Sequence, residues 1–559
     1  MKCFSAIKLV CLLLCSCLLL CSCGMNSGAN NSNSNSNSNT NSNTNSNTNS
    51  NTNSNTNSNA NSNANSNANS NTNNESQRPS IEYNKPKTLI SAKDYIKRVE
   101  ELCAYNTFSI ADDAYLKKVD KLGDDLRDMI IYNEDEIEVK GTKYYISNNG
   151  NDKNDGLSPK TAWATLSKIN SYGFKEGDAV LFERGGFWRG SINARSGVTY
   201  SAYGKGHKPK ISLSIDGLAG EWKKTDKKNI WVFSSPISKS VGLILFNDGE
   251  KHGEKKRESI DNLKQNFDFL HAVPTSGVTD TNSNGCVYLY YDGNNPADDF
   301  WSIELSIPQS VVTIAKGGTH DVTLHNLELR LGQDYFFCSS TKNIIVKYCA
   351  MYWMGGQENK NGLRYGGGGG CWFGCDTMVF EHCYFYQHFD AGVSPQYNMT
   401  DSEPCIFKNF KTTSCLFDYC EYPFEYFLSQ KTNSDAKYVD TYFAYNFVRH
   451  TGYGFGDKAI KSACVKSWAH PNPQENFVIE KNIFDRPYVR LLDMGAKNPN
   501  GEPDFNCFPK MNNNVYITVK NEPAIRLNRK SFEFNEDGYK QLEDLGFEEN
   551  AVYMFCEKY

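Results

Sequence analysis

Apolar positions fall into two regimes along the chain. Between residues 89 and 132 they recur at helical spacing: Tyr95, Val99 and Leu102 share one face, and Tyr115, Val119, Leu122, Leu126 and Ile130 repeat the pattern. Ser91 with Asp94 supplies a capping box ahead of the first run. Two helices are expected there, within an N-terminal segment at 80–139 that packs on or near one end of the strand-rich region beyond it. From "TKYYISNNG" onward, short runs of β-branched and aromatic residues alternate with Gly, Asn and Asp turns, which predicts strands.

Within the strand region an imperfect repeat emerges. "VTLHNLEL" at Asn326, "IIVKYCAM" at Cys349, "MVFEHCYF" at Cys383, "LFDYCEY" at Cys420, "YFAYNFV" at Asn446 and "FVIEKNIF" at Asn482 succeed one another at intervals of 23 to 37 residues. Such intervals predict the coils of an all-β parallel solenoid over 140–523, with loops of varying length. The Asn and Cys positions form an internal ladder in that reading, so Cys349, Cys383 and Cys420 are buried structural thiols. The missing leucine pattern excludes a leucine-rich repeat, and the uneven spacing excludes a propeller. The stretch at about 218–305 reads as inserted strands and hairpins. "EDGYKQLEDLGF" predicts a short helix within a C-terminal cap at 524–559.

The other end of the chain is different. "MKCFSAIKLVCLLLCSCLLLCSCG" has the basic start and apolar run of a secretory signal, taken as residues 1–22. "LCSC" ending at Cys23 resembles the lipobox of bacterial lipoproteins, which implies cleavage before Cys23 and its lipidation. Residues 23–79 are dominated by Asn alternating with Ser, Thr or Ala, a composition with no apolar surface to offset the entropy of ordering. As a flexible coil, a run of about 45 residues spans on the order of 35–40 Å, enough to hold a domain away from a membrane. Cell-surface or extracytoplasmic placement is the consequence, with the lipid as the sole contact with membrane.

Composition narrows the chemistry. The net charge is −5 and no basic cluster is interleaved with aromatics, so nucleic acid is not an expected partner. Six of the 19 cysteines lie within residues 1–23, and the remaining odd number lacks the short regular spacing of a disulfide scaffold. "CWFGC" has neither a second pair nor a histidine motif beside it, so no metal is expected. "NNGNDKNDG" lacks the closing Glu of a calcium loop and reads as a turn. "GGGGG" at 366–370 lacks the Lys-Ser/Thr of a phosphate loop and is read as a close approach of backbone. No cofactor is implied, and a monomer is expected.

"KYYISNNGNDKNDGLSPKTAWATLSKIN", "GDAVLFERGGFWRG" and "YSAYGKGHKPKI" resemble the opening of secreted right-handed parallel β-helix proteins of the pectin-lyase-like superfamily. "RYGGGGGCWFG", "FDAGVSPQ", "FEYFLS", "GYGFG" and "VKSWAHPNPQENFVIEKNIFDRP" are similar to an uncharacterised lipoprotein group of anaerobic bacteria within it. The resemblance covers about residues 140–555 and implies a single-stranded right-handed β-helix. For chemistry it implies only a range: glycoside hydrolases, polysaccharide lyases, esterases and non-catalytic binders. Where relatives read Arg-(Phe/Tyr)-Gly-Asn-Gly, this chain has glycine in place of the Asn, while Arg364 and Trp372 are kept.

Aligned on the ladder residues Cys383 and Cys420, Asp390 and Glu425 fall at one structural position on successive coils. Strands lie about 4.8 Å apart, so two carboxylates would share a face. Like charges would push their pKa values apart, as glycoside hydrolysis requires. Glu425 is assigned as general acid and Asp390 as base or nucleophile. Arg364, Trp372, Gln396, Tyr453, Lys466, Trp468 and His470 are candidates for binding a polysaccharide or oligosaccharide, through flat aromatic faces and hydroxyl-bonding groups. Two rivals stand beside a hydrolase. One is a lyase acting on a uronate glycan, with Lys466 or His470 as base and Arg364 facing the acid; the other is a non-catalytic glycan-binding or adhesive solenoid.

Overall fold

The computed structural model describes residue 79 and residues 82–557, except 105–106, 274–284, 315–317, 339, 359–362, 372–373, 398–404, 429–435, 457–460, 469, 472–473 and 499. For 107, 337, 369–371, 470 and 471 it describes backbone alone. The chain divides at Ser66 and Asn67 into two units, and everything described belongs to the second. The leader, Cys23 and the run of Asn repeats lie outside the described residues, as does Trp372.

Three long sheets, of eleven, eleven and ten strands, dominate the described residues. The chain visits them in rotation. His320–His325 lies in the first sheet, Glu328–Arg330 in the second and Asp334–Cys338 in the third; Thr341–Lys347 then pairs in parallel with His320–His325. The same circuit repeats as far as Val552–Cys556, an arrangement compatible with a β-helix. Alternate residues of all three sheets point inward and fill the interior with stacked apolar side chains. Phe385 on Phe417 shows the stacking, with ring centroids 4.5 Å apart and planes 3° from parallel.

One corner accounts for the Asn and Cys signal. Between the first and second sheets, Tyr348, His382, Ser414, Tyr445, Lys481 and Asn513 each adopt left-handed backbone, with φ of 50–57°. That conformation is costly for L-residues, and each is held by an N–H donated to a carbonyl of the next coil, such as His382 to Thr413 at 3.2 Å. The residue after it aims its side chain into the corner: Cys349, Cys383, Cys415, Asn446, Asn482 and Asn514. In the Asn part each amide bonds two coils. Asn482 donates to the Phe443 carbonyl at 2.8 Å and to Asn514 Oδ1 at 2.9 Å, while accepting the Asn446 N–H at 2.9 Å.

Two ladder assignments need correction. Leu416 pairs with Tyr384, so the partner of Cys383 is Cys415 and not Cys420, which sits on the next turn. Asn326 occupies the left-handed position itself, with φ 56°, and its amide faces outward to Asn133 and Asp135. No disulfide joins the twelve cysteines whose side chains are described.

The helices form at Ala92–Cys103 and Asp113–Ile131, capped by the side chains of Ser91 and Asp112. They pack on the flank of the second sheet rather than at an end of the stack. Tyr95, Val99, Leu122, Leu126 and Ile130 cover Leu416, Phe447, Ile483 and Val515. Polar ties fix the seat: Tyr95 donates to the Tyr445 carbonyl at 2.8 Å, and Arg449 bridges Asp418 and Asp124 at 3.0 and 3.1 Å. Between Ser214 and Ser306 the chain builds two smaller, mainly antiparallel sheets around a separate apolar core. Within "NNGNDKNDG", Asp152 accepts from Ala164, Thr165 and the Thr165 hydroxyl, and Asp155 from Leu157, so these carboxylates serve a turn.

Candidate functional site

The outer face of the third sheet gathers most of the described candidate residues. Val393, Phe424, Val465 and Leu492 point inward and are fully buried, so their successors point out. Glu425, Lys466, Asp493 and Arg526 therefore stand in one row across four coils. Lys466 Nζ lies 2.6 Å from Asp493 Oδ2, and Arg526 donates to both Asp493 oxygens at 2.6–2.7 Å. Burial works against charge on Asp493, but the bonds from Arg526 and Lys466 outweigh it and hold the carboxyl below its usual range.

Trp468 stands one outward position further along the coil. Its indole donates to Glu425 Oε1 at 3.0 Å, and the Lys466 ammonium lies 5.2 Å from the ring centroid. Phe427 meets the ring edge-on at 6.3 Å. Even so, Trp468 remains 49 % exposed, a flat apolar surface seated on a carboxylate and a cation. Gln396 pairs with Phe427 in the register and donates to Ser394 Oγ at 2.5 Å. The backbone of His470 continues this edge, paired with Ala496.

Asp390 occupies the turn that feeds the third sheet, between Tyr384–His388 and Ala391–Tyr397. Its carbonyl accepts the Tyr422 N–H at 3.1 Å. The Tyr422 phenol is kept protonated far above its ordinary range, first by burial and then by the charges of Glu421, Asp390, Glu425 and Asp493.

The register corrects the expectation that Asp390 and Glu425 are equivalent. Ala391 pairs with Tyr422, which places Asp390 opposite Glu421, and Glu425 opposite Ser394. Four residues of strand, about 13 Å, separate the two rows. The misplacement comes from aligning the repeat on Cys420 in place of Cys415.

Arg364 is a buried cation bound to backbone. It is 7 % exposed, donates to the carbonyls of Gly356 at 2.9 Å and Gly242 at 3.2 Å, and lies 4.3 Å from the Phe389 ring. It ties the inserted sheets to the coil that carries Asp390. Tyr453 stands at the corner leading into the third sheet, 43 % exposed and edge-on to the exposed Tyr488 at 5.2 Å. Glu421, Tyr422, Asp493 and Arg526 were not foreseen; counted on from Cys415 as Asp390 is from Cys383, the matching position is Tyr422, next to Glu421. Among the described residues, no group of His, Cys, Asp and Glu is arranged to hold a metal ion.

No protein-family model matches the chain, and no curated protein matches it by sequence. Solved structures give distant likenesses. A complex of XylC with xylose is 10 % identical over 70 % of this chain and 70 % of that one, with a TM-score of 0.41. A glycoside hydrolase is 11 % identical over 74 % and 97 %, with a TM-score of 0.41. The GH136 lacto-N-biosidase of Eubacterium ramulus is 13 % identical over 80 % and 71 %, with a TM-score of 0.32.

Proposed function

We propose that this protein is an extracytoplasmic carbohydrate-active enzyme, a single-stranded right-handed β-helix tethered through Cys23, that binds a glycan on its third sheet and hydrolyses it. The observation that carries this reading is the half-exposed Trp468 indole, bonded to Glu425 and set over Lys466, on a face whose feeding turn presents Asp390. An aromatic plane with hydroxyl-bonding groups at its edge suits a sugar ring. Asp390, in the turn that feeds the same sheet, supplies one of the acid and base groups that glycoside cleavage uses.

Asp390 is the carboxylate we place at the bond to be broken. Glu425, foreseen as its acid partner, fits better as the group that fixes Trp468 and meets a sugar hydroxyl, because the register sets it four residues away. Gln396 and His470 extend the binding edge, and Tyr453 with Tyr488 offers a further aromatic contact at the corner.

Two features weigh against the lyase reading. Lys466 is committed to Asp493 at 2.6 Å, and Arg364 directs donors to backbone carbonyls. Neither is placed as the base or the neutralising cation of β-elimination.

A panel of plant and host polysaccharides, assayed in parallel for new reducing ends and for the ultraviolet absorbance of unsaturated uronides, tests the proposal. Reducing ends without absorbance are expected. Asp390→Asn should lower kcat by about 10²–10⁴-fold. Glu425→Gln should chiefly raise KM; an equal fall in kcat would return it to the reacting pair. Absorbance in the product would establish a lyase. Glycan binding without turnover, unchanged in both variants, would establish a binding module.

A further inference from the structure

The glycine run lies between two carboxylates, only one of which the sequence brought forward. Asp334 opens the third-sheet strand Asp334–Cys338, and Phe337 of that strand pairs with Gly370 of the next. Gly369 in turn pairs with Val393 of the strand that comes after Asp390. Gly367 touches both sides. Its N–H donates to the Asp334 carboxylate. A Cβ on it would stand 2.9 Å from the Ala391 carbonyl and 3.4 Å from the Asp390 nitrogen. Gly366 is equally confined, since a Cβ there would stand 2.6 Å from the Gln333 carbonyl. The intervening strand thus brings no side chain between Asp334 and Asp390.

We propose that Asp334 is the second reacting carboxylate, opposed to Asp390 across this bare strand, and that the glycosidic bond is cleaved with inversion. The assignment rests on the hydrolase reading above. Two strand spacings set the two backbones roughly 9–10 Å apart. Inverting glycosidases hold their carboxyl groups about 6.5–9.5 Å apart, leaving room for a water, whereas retaining ones need about 5–5.5 Å.

The surroundings sort the roles. Burial, then the Asp390 charge, raise Asp334 to about 7, against the opposing bonds from Gly367 and Gln333. Asp334 therefore keeps a substantial protonated fraction near neutrality, unlike an ordinary carboxyl. Tyr365 is the other titratable group beside it, itself raised by burial and by Asp334. His388 is driven down to about 4 by burial and stays neutral, so its single N–H goes either to the Met351 carbonyl, 3.0 Å from Nε2, or to the Ala391 carbonyl, 3.2 Å from Nδ1. In the reaction, Asp334 gives its proton to the glycosidic oxygen as the bond to the anomeric carbon breaks. Asp390 removes a proton from the water whose oxygen bonds to that carbon from the opposite face. Asp390 ends protonated and Asp334 ionised, and exchange with solvent restores both.

The test compares Asp334→Asn and Asp390→Asn in the purified protein, using a cleaved glycan and the dinitrophenyl glycoside of the same sugar, with proton NMR of the first-formed anomer. Inversion is expected. Asp334→Asn should lose about 10²–10⁴-fold in kcat on the glycan. It should recover most of that rate on the dinitrophenyl glycoside, whose leaving group needs no acid, and lose the basic limb of the pH profile. Asp390→Asn should be slow on both. Asp334→Glu, which keeps a carboxyl, guards against a folding defect and should retain a weakened basic limb. Full glycan activity in Asp334→Asn, or a retained anomer, would overturn the assignment while leaving the hydrolase reading standing. Failure of that reading looks different: the wild-type protein would release no reducing ends from any glycan, and the assignment would fall with it.

Discussion

Asn482 shows how one residue binds three coils. Its amide accepts from Asn446 and donates to Phe443 and Asn514. Asn482→Leu would keep the volume but leave the Asn446 N–H without an acceptor inside the stack. Each buried group left unpaired costs about 1–3 kcal/mol. A lower urea midpoint at unchanged m is expected; an unchanged midpoint would mean that packing alone holds the corner. Part of the ladder was legible because Cys349, Cys383, Asn446 and Asn482 each precede an outward-inward pair of strand residues. Cys415 and Cys420 are both fully buried, and the pairing of Leu416 with Tyr384, with the Cys383 N–H on Cys415 Sγ at 3.4 Å, tells them apart. Asn326 misled for a related reason: Asn tolerates left-handed backbone, so it also suits the position one residue earlier. Taking Cys420 for Cys415 is what joined Glu425 to Asp390 and passed over the segment that holds Glu421.

At the scale of elements, the two helices lie where the apolar spacing put them, while their docking surface was not readable. Residues such as Leu416, Phe447 and Ile483 point away from the solenoid interior, and strand periodicity alone does not say what covers them. Leu126 is fully buried in that contact. Leu126→Ala should cost about 2–5 kcal/mol, and hydrogen exchange should accelerate first in residues 92–131. The far end of the ladder carries a second dependence. Glu548 accepts from the Asn514 N–H and amide at 2.8 Å and from the Tyr516 hydroxyl at 2.6 Å. Burial nevertheless raises it to about 7, these bonds only partly opposing. An unfolded Glu titrates near ~4.3, so between the two values the folded form holds a proton that the unfolded form has lost. Stability contributed in this way is lost as pH rises through about 7. Asp334 acts in the same direction. The melting temperature should decline from mildly acid to mildly alkaline pH, and Glu548→Gln should flatten that decline. Parallel curves would show that Glu548 is already ionised in the folded protein.

On the scale of the whole molecule, three sheets built from one rotating circuit offer three outer faces. The second is covered by helices. The third presents Trp468, Gln396 and the row from Glu425 to Arg526. The sequence held this face only partly, because outward positions tolerate many residues and carry no periodic signal of their own. Trp468 is the residue to test first for binding. Trp468→Ala removes a half-exposed ring, so it should weaken glycan binding about tenfold, with only a small fall in melting temperature from the lost bond to Glu425. The most direct measurement is a crystal structure of the Asp390→Asn variant bound to a cleaved oligosaccharide. A sugar ring over Trp468 and a glycosidic oxygen between residues 334 and 390 are expected. A glycan bound elsewhere, as in the cavity of about 350 Å³ bordered by Tyr352, Trp353 and Tyr386 on the second sheet, would contradict the assignment of the third sheet as the site of cleavage.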